Sequence, residues 1–163
     1  MVHKIVYPLL VFIICILVAF IMYLNGRDNP NDFYYLQLSG ESSHWKLTDY
    51  QIEITPDNMS SGNGKLYFKS KNGNYTTQYY AFKMRAIINN EETSLHGQIV
   101  SGPEDFKTGV NVGSYKGPTL ITKSGDPITL KDVDEIYAVI QWEEKGNGKT
   151  REETISLYSK SEQ

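Results

Sequence analysis

Beyond its first two dozen residues the chain offers two imidazoles, His44 and His96, a set of tyrosines and several acidic pairs with which any chemistry would have to be done. A nucleophilic serine or threonine needs a base beside it. His44 and His96 are far apart in sequence and no Gly-x-Ser-x-Gly elbow occurs. Two separated histidines are also too few for a zinc site. Glycoside hydrolysis asks only for two well-placed carboxylates. The candidates are Glu91-Glu92, Glu104-Asp105, Asp132/Asp134/Glu135, Glu143-Glu144 and Glu152-Glu153, all at turns or in the terminal hairpin, where charges are usually solvated. Asp132, Asp134 and Glu135 also present hard oxygen ligands suited to calcium, but without EF-hand spacing. The expectation is a protein without catalytic residues, metal or cofactor.

Binding has more to work with. From Asn25 onward there are ten tyrosines and two tryptophans, and aromatic rings on an exposed sheet can stack on sugar faces. Tyr34, Tyr35, Tyr67, Tyr75, Tyr79 and Tyr137 form the candidate binding surface. The competing reading is that tyrosine is simply a good strand residue, ring on the sheet and hydroxyl in water.

These side chains need strands to position them. Tyr75 to Asn89 places Tyr80, Phe82, Met84, Ala86 and Ile88 in one phase and Lys83 and Arg85 in the other, the period-two pattern of a half-buried strand. Glu135 to Glu144 is apolar on both faces, which predicts a central strand. Lys145 to Lys149 then turns the chain into Thr154–Tyr158 as a closing hairpin. Between Trp45 and Ile54 the apolar phase slips by one residue, which predicts a bulge near Thr48-Asp49. Further strands are expected at Phe33–Ser39, Lys65–Ser70, Ser94–Val100, Val110–Tyr115, Thr119–Thr122 and Ile128–Leu130. Many short strands without a convincing amphipathic helix predict an all-β, immunoglobulin-like β-sandwich, with a small β-barrel as the alternative.

The apolar run Ile5 to Leu24 is long enough, as a helix, to span the ~30 Å hydrocarbon layer of a bilayer. Cys15 follows Ile14 rather than the small residue that a lipidation site wants. The domain reading is therefore a short cytoplasmic tail at 1–4, a single transmembrane helix and signal anchor at 5–24, a linker at 25–32 and an extracytoplasmic domain at 33–163. The part from Asn25 onward carries 15 basic and 19 acidic residues, a poor composition for a nucleic-acid binder. It has no cysteine, hence no disulfide.

The segment Gly40-Glu41-Ser42-Ser43-His44-Trp45-Lys46, with the later Ile140-Gln141-Trp142-Glu143 strand, resembles a loose family of small membrane-anchored exported proteins of Gram-positive spore-forming bacteria. The resemblance spans roughly Leu36 to Tyr158. It implies a cell-envelope address and a β-sandwich, and supplies no catalytic residues. The combined expectation is a non-catalytic, membrane-tethered cell-envelope protein that acts by binding or assembly. Its expected partners are the bilayer through residues 5–24 and an envelope protein or wall glycan. A wall-polysaccharide module using the tyrosines and a carboxylate-dependent hydrolase are the alternatives.

Overall fold

The computed structural model describes residues 13–21, 33–69, 75–144, 146 and 148–160. The chain divides into two compact units, Met1–Asp32 and Phe33–Gln163. In the first, a helix covers residues 13–21. Among the described residues no helix is long and apolar enough to cross a membrane. The expected single-pass anchor over 5–24, the bilayer contact through it and the extracytoplasmic address that depended on it are corrected accordingly. Residues 1–12 and 22–32, which include both ends of the expected anchor and the linker at 25–32, lie outside the described residues.

The second unit contains ten strands among its described residues: β1 (Tyr34–Glu41), β2 (Trp45–Ile54), β3 (Asn58–Gly62), β4 (Lys65–Phe68), β5 (Thr76–Ile88), β6 (Glu91–Asp105), β7 (Val110–Asn111), β8 (Ser114–Pro118), β9 (Val133–Glu143) and β10 (Thr150–Ser159). A 3-10 turn, Leu130–Asp132, leads into β9. One sheet runs β7-β4-β2-β3-β8 with β1 on the other side of β2, and the second runs β10-β9-β5-β6. All pairings are antiparallel.

The arrangement is a half-barrel, not the expected immunoglobulin-like sandwich. In an immunoglobulin sheet of order A-B-E-D, the second strand lies beside one that has returned from the opposite sheet. Here β2 is flanked by its chain neighbours, β1 on one edge and β3 and β4 on the other, and the returning β7 and β8 are outermost. A closed small barrel does not form either, because among the described residues no strand of one sheet forms a backbone ladder with a strand of the other.

The curvature of the first sheet has a local cause. Leu38 pairs with Tyr50 and Gly40 with Leu47, so Ser39 faces two residues of β2. There Asp49 adopts a left-handed conformation, φ 57°, and its N–H donates to Ser39 Oγ at 3.0 Å. This turns the inward set from Trp45 and Leu47 to Tyr50, Ile52 and Ile54. The irregularity continues across the sheet. Asn63 (φ 62°) stands between β3 and β4, and Gly113 (φ 77°) between β7 and β8. Asn63 N–H donates to Gly113 O at 2.9 Å and Val112 N–H to Gly64 O at 3.1 Å. Asp, Asn and Gly are the residues that visit the left-handed region at least cost. The sheet is thus creased along one line, and β3 with β4, like β7 with β8, is one strand broken at the crease.

The core lies between the sheets. Trp45, Leu47, Tyr50, Ile52 and Leu66 meet Tyr80, Phe82, Met84, Ile136, Ile140, Trp142 and Ile155, all buried. On one side the sheets close together where β1 passes β10. A Cβ on Gly40 would stand 2.7 Å from Ser156 O and 2.8 Å from Ile155 Cγ2. Only a residue without a side chain fits this approach. Gly40→Ala is therefore expected to destabilise the fold by about 1–3 kcal/mol, the usual cost of overpacking. Gly97→Ala, where the nearest atom is Phe82 O at 3.8 Å, is expected to be neutral or to stabilise by about 0.4–1 kcal/mol. Urea denaturation of the two variants checks the contrast.

Candidate functional site

The six tyrosines do not form one surface. Tyr34 and Tyr75 pack against the core. The Tyr75 ring stacks on Phe68 at 3.7 Å, and its hydroxyl donates to Glu143 O at 3.3 Å. Tyr35 and Tyr67 lie on the outer face of the first sheet, opposite Glu53 and Lys46 respectively and so near opposite ends of β2. Tyr79 and Tyr137 lie on the outer face of the second sheet.

The acidic pairs are likewise dispersed and occupied. Glu91 pairs with Lys123 at 2.5 Å, Glu92 with Arg85, and Glu144 with Arg151 at 2.7 Å. Asp132 Oδ2 accepts from Thr129 N–H at 2.8 Å and Thr129 Oγ1 at 2.9 Å, which caps the 3-10 turn. These bonds hold the Asp132 carboxyl below its ordinary pKa. Asp134 Oδ2 accepts from Asn90 N–H at 3.0 Å. Among the described residues no three His, Cys, Asp or Glu side chains converge as metal ligands.

The Gly40-Glu41-Ser42-Ser43-His44-Trp45 segment does gather polar groups, around a residue that sequence reading had left among the solvated charges. Glu153 of β10 accepts from Ser42 Oγ at 2.6 Å and from His44 N–H at 3.0 Å through Oε2, and its Oε1 meets His44 Nδ1. More than a hundred residues separate the partners, so no local spacing could have revealed the contact. The one signal available was the compact Glu-Ser-x-His-Trp segment itself. Ser42, His44 and a carboxylate invite comparison with a catalytic triad, but the connectivity differs. A triad serine donates to the histidine, which in turn leans on the acid. Here Ser42 and His44 both bind the same carboxylate, and Ser42 Oγ also accepts from Trp45 N–H at 3.2 Å. The group clamps the β1–β2 turn to β10.

A second polar group lies across the core, at the side where the half-barrel is not closed. β6 and β8 are the end strands of their sheets there. Between them is a cavity of about 300 Å³ lined by Met59, Leu95, His96, Tyr115, Thr119 and Leu120, among others. His96 is 8% exposed. Its Nδ1 is 3.1 Å from the Tyr50 hydroxyl. Burial pulls the imidazole below its ordinary pKa and pushes the Tyr50 hydroxyl above its own, so both are neutral at physiological pH. Ser61 Oγ, beside them, donates to Leu95 O at 3.1 Å and ties β3 to β6. The signal in the sequence was a histidine inside an otherwise strand-like run, too weak alone to mark a site.

Fold and site together define a class: a half-barrel clamped at one corner and open along the opposite seam, where a long edge strand borders a small, mainly apolar cavity. Set against protein-family models, curated proteins and solved structures, the chain matches none of them.

The corner clamp makes stability depend on pH. Burial raises the Glu153 pKa, and the bonds from Ser42 and His44 outweigh it, so the folded value lies below the ordinary one. A depressed carboxyl contributes stability that is present above the unfolded-state value and is lost as pH falls through the folded one. The difference in urea midpoint between the wild type and Glu153→Gln should therefore be largest near neutrality and shrink on acidification below the ordinary glutamate range. A difference that stays constant with pH would mean that the charge is irrelevant.

Proposed function

We propose that this protein is a non-catalytic binding module whose partner joins the second sheet as an added strand along the outer edge of β6. The supporting observation is the middle of that strand, Gly97-Gln98-Ile99-Val100-Ser101. These five residues are uncharged, no strand pairs with their outer edge among the described residues, and Ile99 is 67% exposed. Sheet edges are ordinarily protected by charge, proline or a covering element. β8 is short and carries Lys116 and Pro118. β10 carries Arg151, Glu152 and Glu153. β1 is closed by β10 at its Gly40 end. β6 keeps such protection only at its tips, with Glu91-Glu92 at one end and Pro103-Glu104-Asp105 at the other. An open, uncharged stretch between charged tips is the form of a strand-addition site.

The reading is tested with a photo-crosslinking amino acid at Ser101 in the full chain, expressed in cells. A discrete adduct is expected, and it should be lost when Ile99→Lys is added. That exposed substitution should change stability by no more than about 0.5 kcal/mol. An adduct that survives Ile99→Lys, or that forms equally from Gln51 on the first sheet, would overturn strand addition at β6.

A further inference from the structure

We infer that the strand added to β6 is an acid-centred segment of another protein, with a carboxylate side chain opposite Gly97 and an aliphatic one opposite Ile99. The inference rests on the strand-addition reading and supplies the partner's chemistry. It comes from what lies behind the open stretch. On β5, residues Gly97 to Ser101 stand against Lys83, Phe82, Ala81, Tyr80 and Tyr79 in turn, and Lys83 is the one charged residue among them. Phe82 and Tyr80 belong to the core, so Lys83, Ala81 and Tyr79 share the outer face with Gly97, Ile99 and Ser101. Lys83 is half-buried and makes no hydrogen bond or ion pair among the described residues. Glu92 and Glu152, on the same face, are held by Arg85 and by the Gln141 amide.

Gly97 leaves the way open between Lys83 and the edge. A Cβ there would have only Phe82 O near it, at 3.8 Å, so nothing stands above the glycine on the outer face. Adjacent strands lie ~4.8 Å apart, so an added strand would run about 10 Å from β5. A lysine and a glutamate side chain together span that gap across a residue that has no side chain. Ile99, 67% exposed, is the next contact along the same face, where an aliphatic cross-strand neighbour would cover it. A second copy of this chain does not fit. Two β6 strands paired antiparallel about Gln98 would set Glu92 opposite Glu104 and Glu91 opposite Asp105, and in a parallel, in-register pair each would face itself. Like charges directly opposite one another destabilise a ladder.

The test uses the purified full chain with a photo-crosslinking amino acid at Ser101. It is irradiated with the end-blocked peptide Lys-Val-Thr-Glu-Thr-Val-Lys, whose symmetry suits either strand direction, and with versions centred on Gln or Lys. Crosslinking is expected to saturate with the Glu peptide at a concentration about two- to fivefold below that of the Gln peptide. The chain's net charge of −3 would by itself favour the opposite order. Lys83→Glu should reverse the preference and make the Lys-centred peptide the tightest. Lys83→Gln should abolish it, and serves alone if the Glu variant does not fold. Equal half-saturation by the Glu and Gln peptides, or a preference that survives Lys83→Gln, overturns the acid-centred partner. Failure of every peptide to give saturable crosslinking overturns it as well. None of these results touches the adduct formed in cells and its loss with Ile99→Lys, on which strand addition itself is judged.

Discussion

The structure depends on the burial of one ring. Trp45, fully buried at the start of β2, meets Phe68, Phe106 and Trp142 edge-on with centroids at 4.9, 4.8 and 5.3 Å. It thereby joins β2 and β4 of one sheet to β9 of the other and to the loop after β6. Its Nε1 has no hydrogen-bond partner, a cost of about 1–3 kcal/mol. Burying a tryptophan removes ~150–250 Å² from water; at about 25 cal/mol per Å², this is worth ~4–6 kcal/mol. Apolar burial therefore exceeds the orphan's cost even before edge-to-face packing is counted. The clamp follows from the same placement. With Trp45 fixed, Ser42 N–H donates to Trp45 O at 2.8 Å and Lys69 N–H to His44 O at 2.7 Å, which leaves Ser42 Oγ and His44 aimed at Glu153.

Closing one corner so tightly has a geometric consequence for the other side. Gly40 brings β1 against β10, while the crease through Asp49, Asn63 and Gly113 bends the first sheet about a line across its strands. The two sheets then share a core but not a continuous hydrogen-bond ladder, and their end strands β6 and β8 are left at the seam. Ser61 bonding Leu95 O ties the seam at one point. The rigid corner and the unladdered seam are two results of one packing solution, and exposed backbone and cavity both fall on the unladdered side.

How much of this was legible varies with how local each cause is. β5 and β9 could be read because their apolar residues alternate without interruption, and the slip at Thr48-Asp49 appeared as a change of phase. β3 escaped notice because Asn58-Met59-Ser60-Ser61-Gly62 carries one apolar residue and two turn formers; the ladder with β2 makes it a strand. Thr119–Thr122 looked strand-like but holds only an isolated bridge, Ile121 to Pro127. The immunoglobulin-like reading failed on connectivity, because strand periodicity says which residues face inward and nothing about which strand lies beside which. Trp45 could be read as the first apolar residue of the phase that slips, whereas Glu153 looked like any other charge in a terminal hairpin. Its role comes from a contact made across almost the whole domain.

The polar group at the seam separates packing from purpose. A core of this size needs no Tyr50–His96 pair, since replacing two hydrogen-bonded buried groups by apolar ones of the same shape is nearly neutral or stabilising. Hydrophobic patterning alone would have placed an aliphatic residue at position 96, as it does at Met84 directly across the ladder. His96 instead lines the seam cavity together with Thr119, whose Oγ1 has no hydrogen-bond partner. The fold carries such orphans elsewhere too, at Trp45 Nε1 and Tyr80 Oη, where the burial of a large ring outweighs their cost.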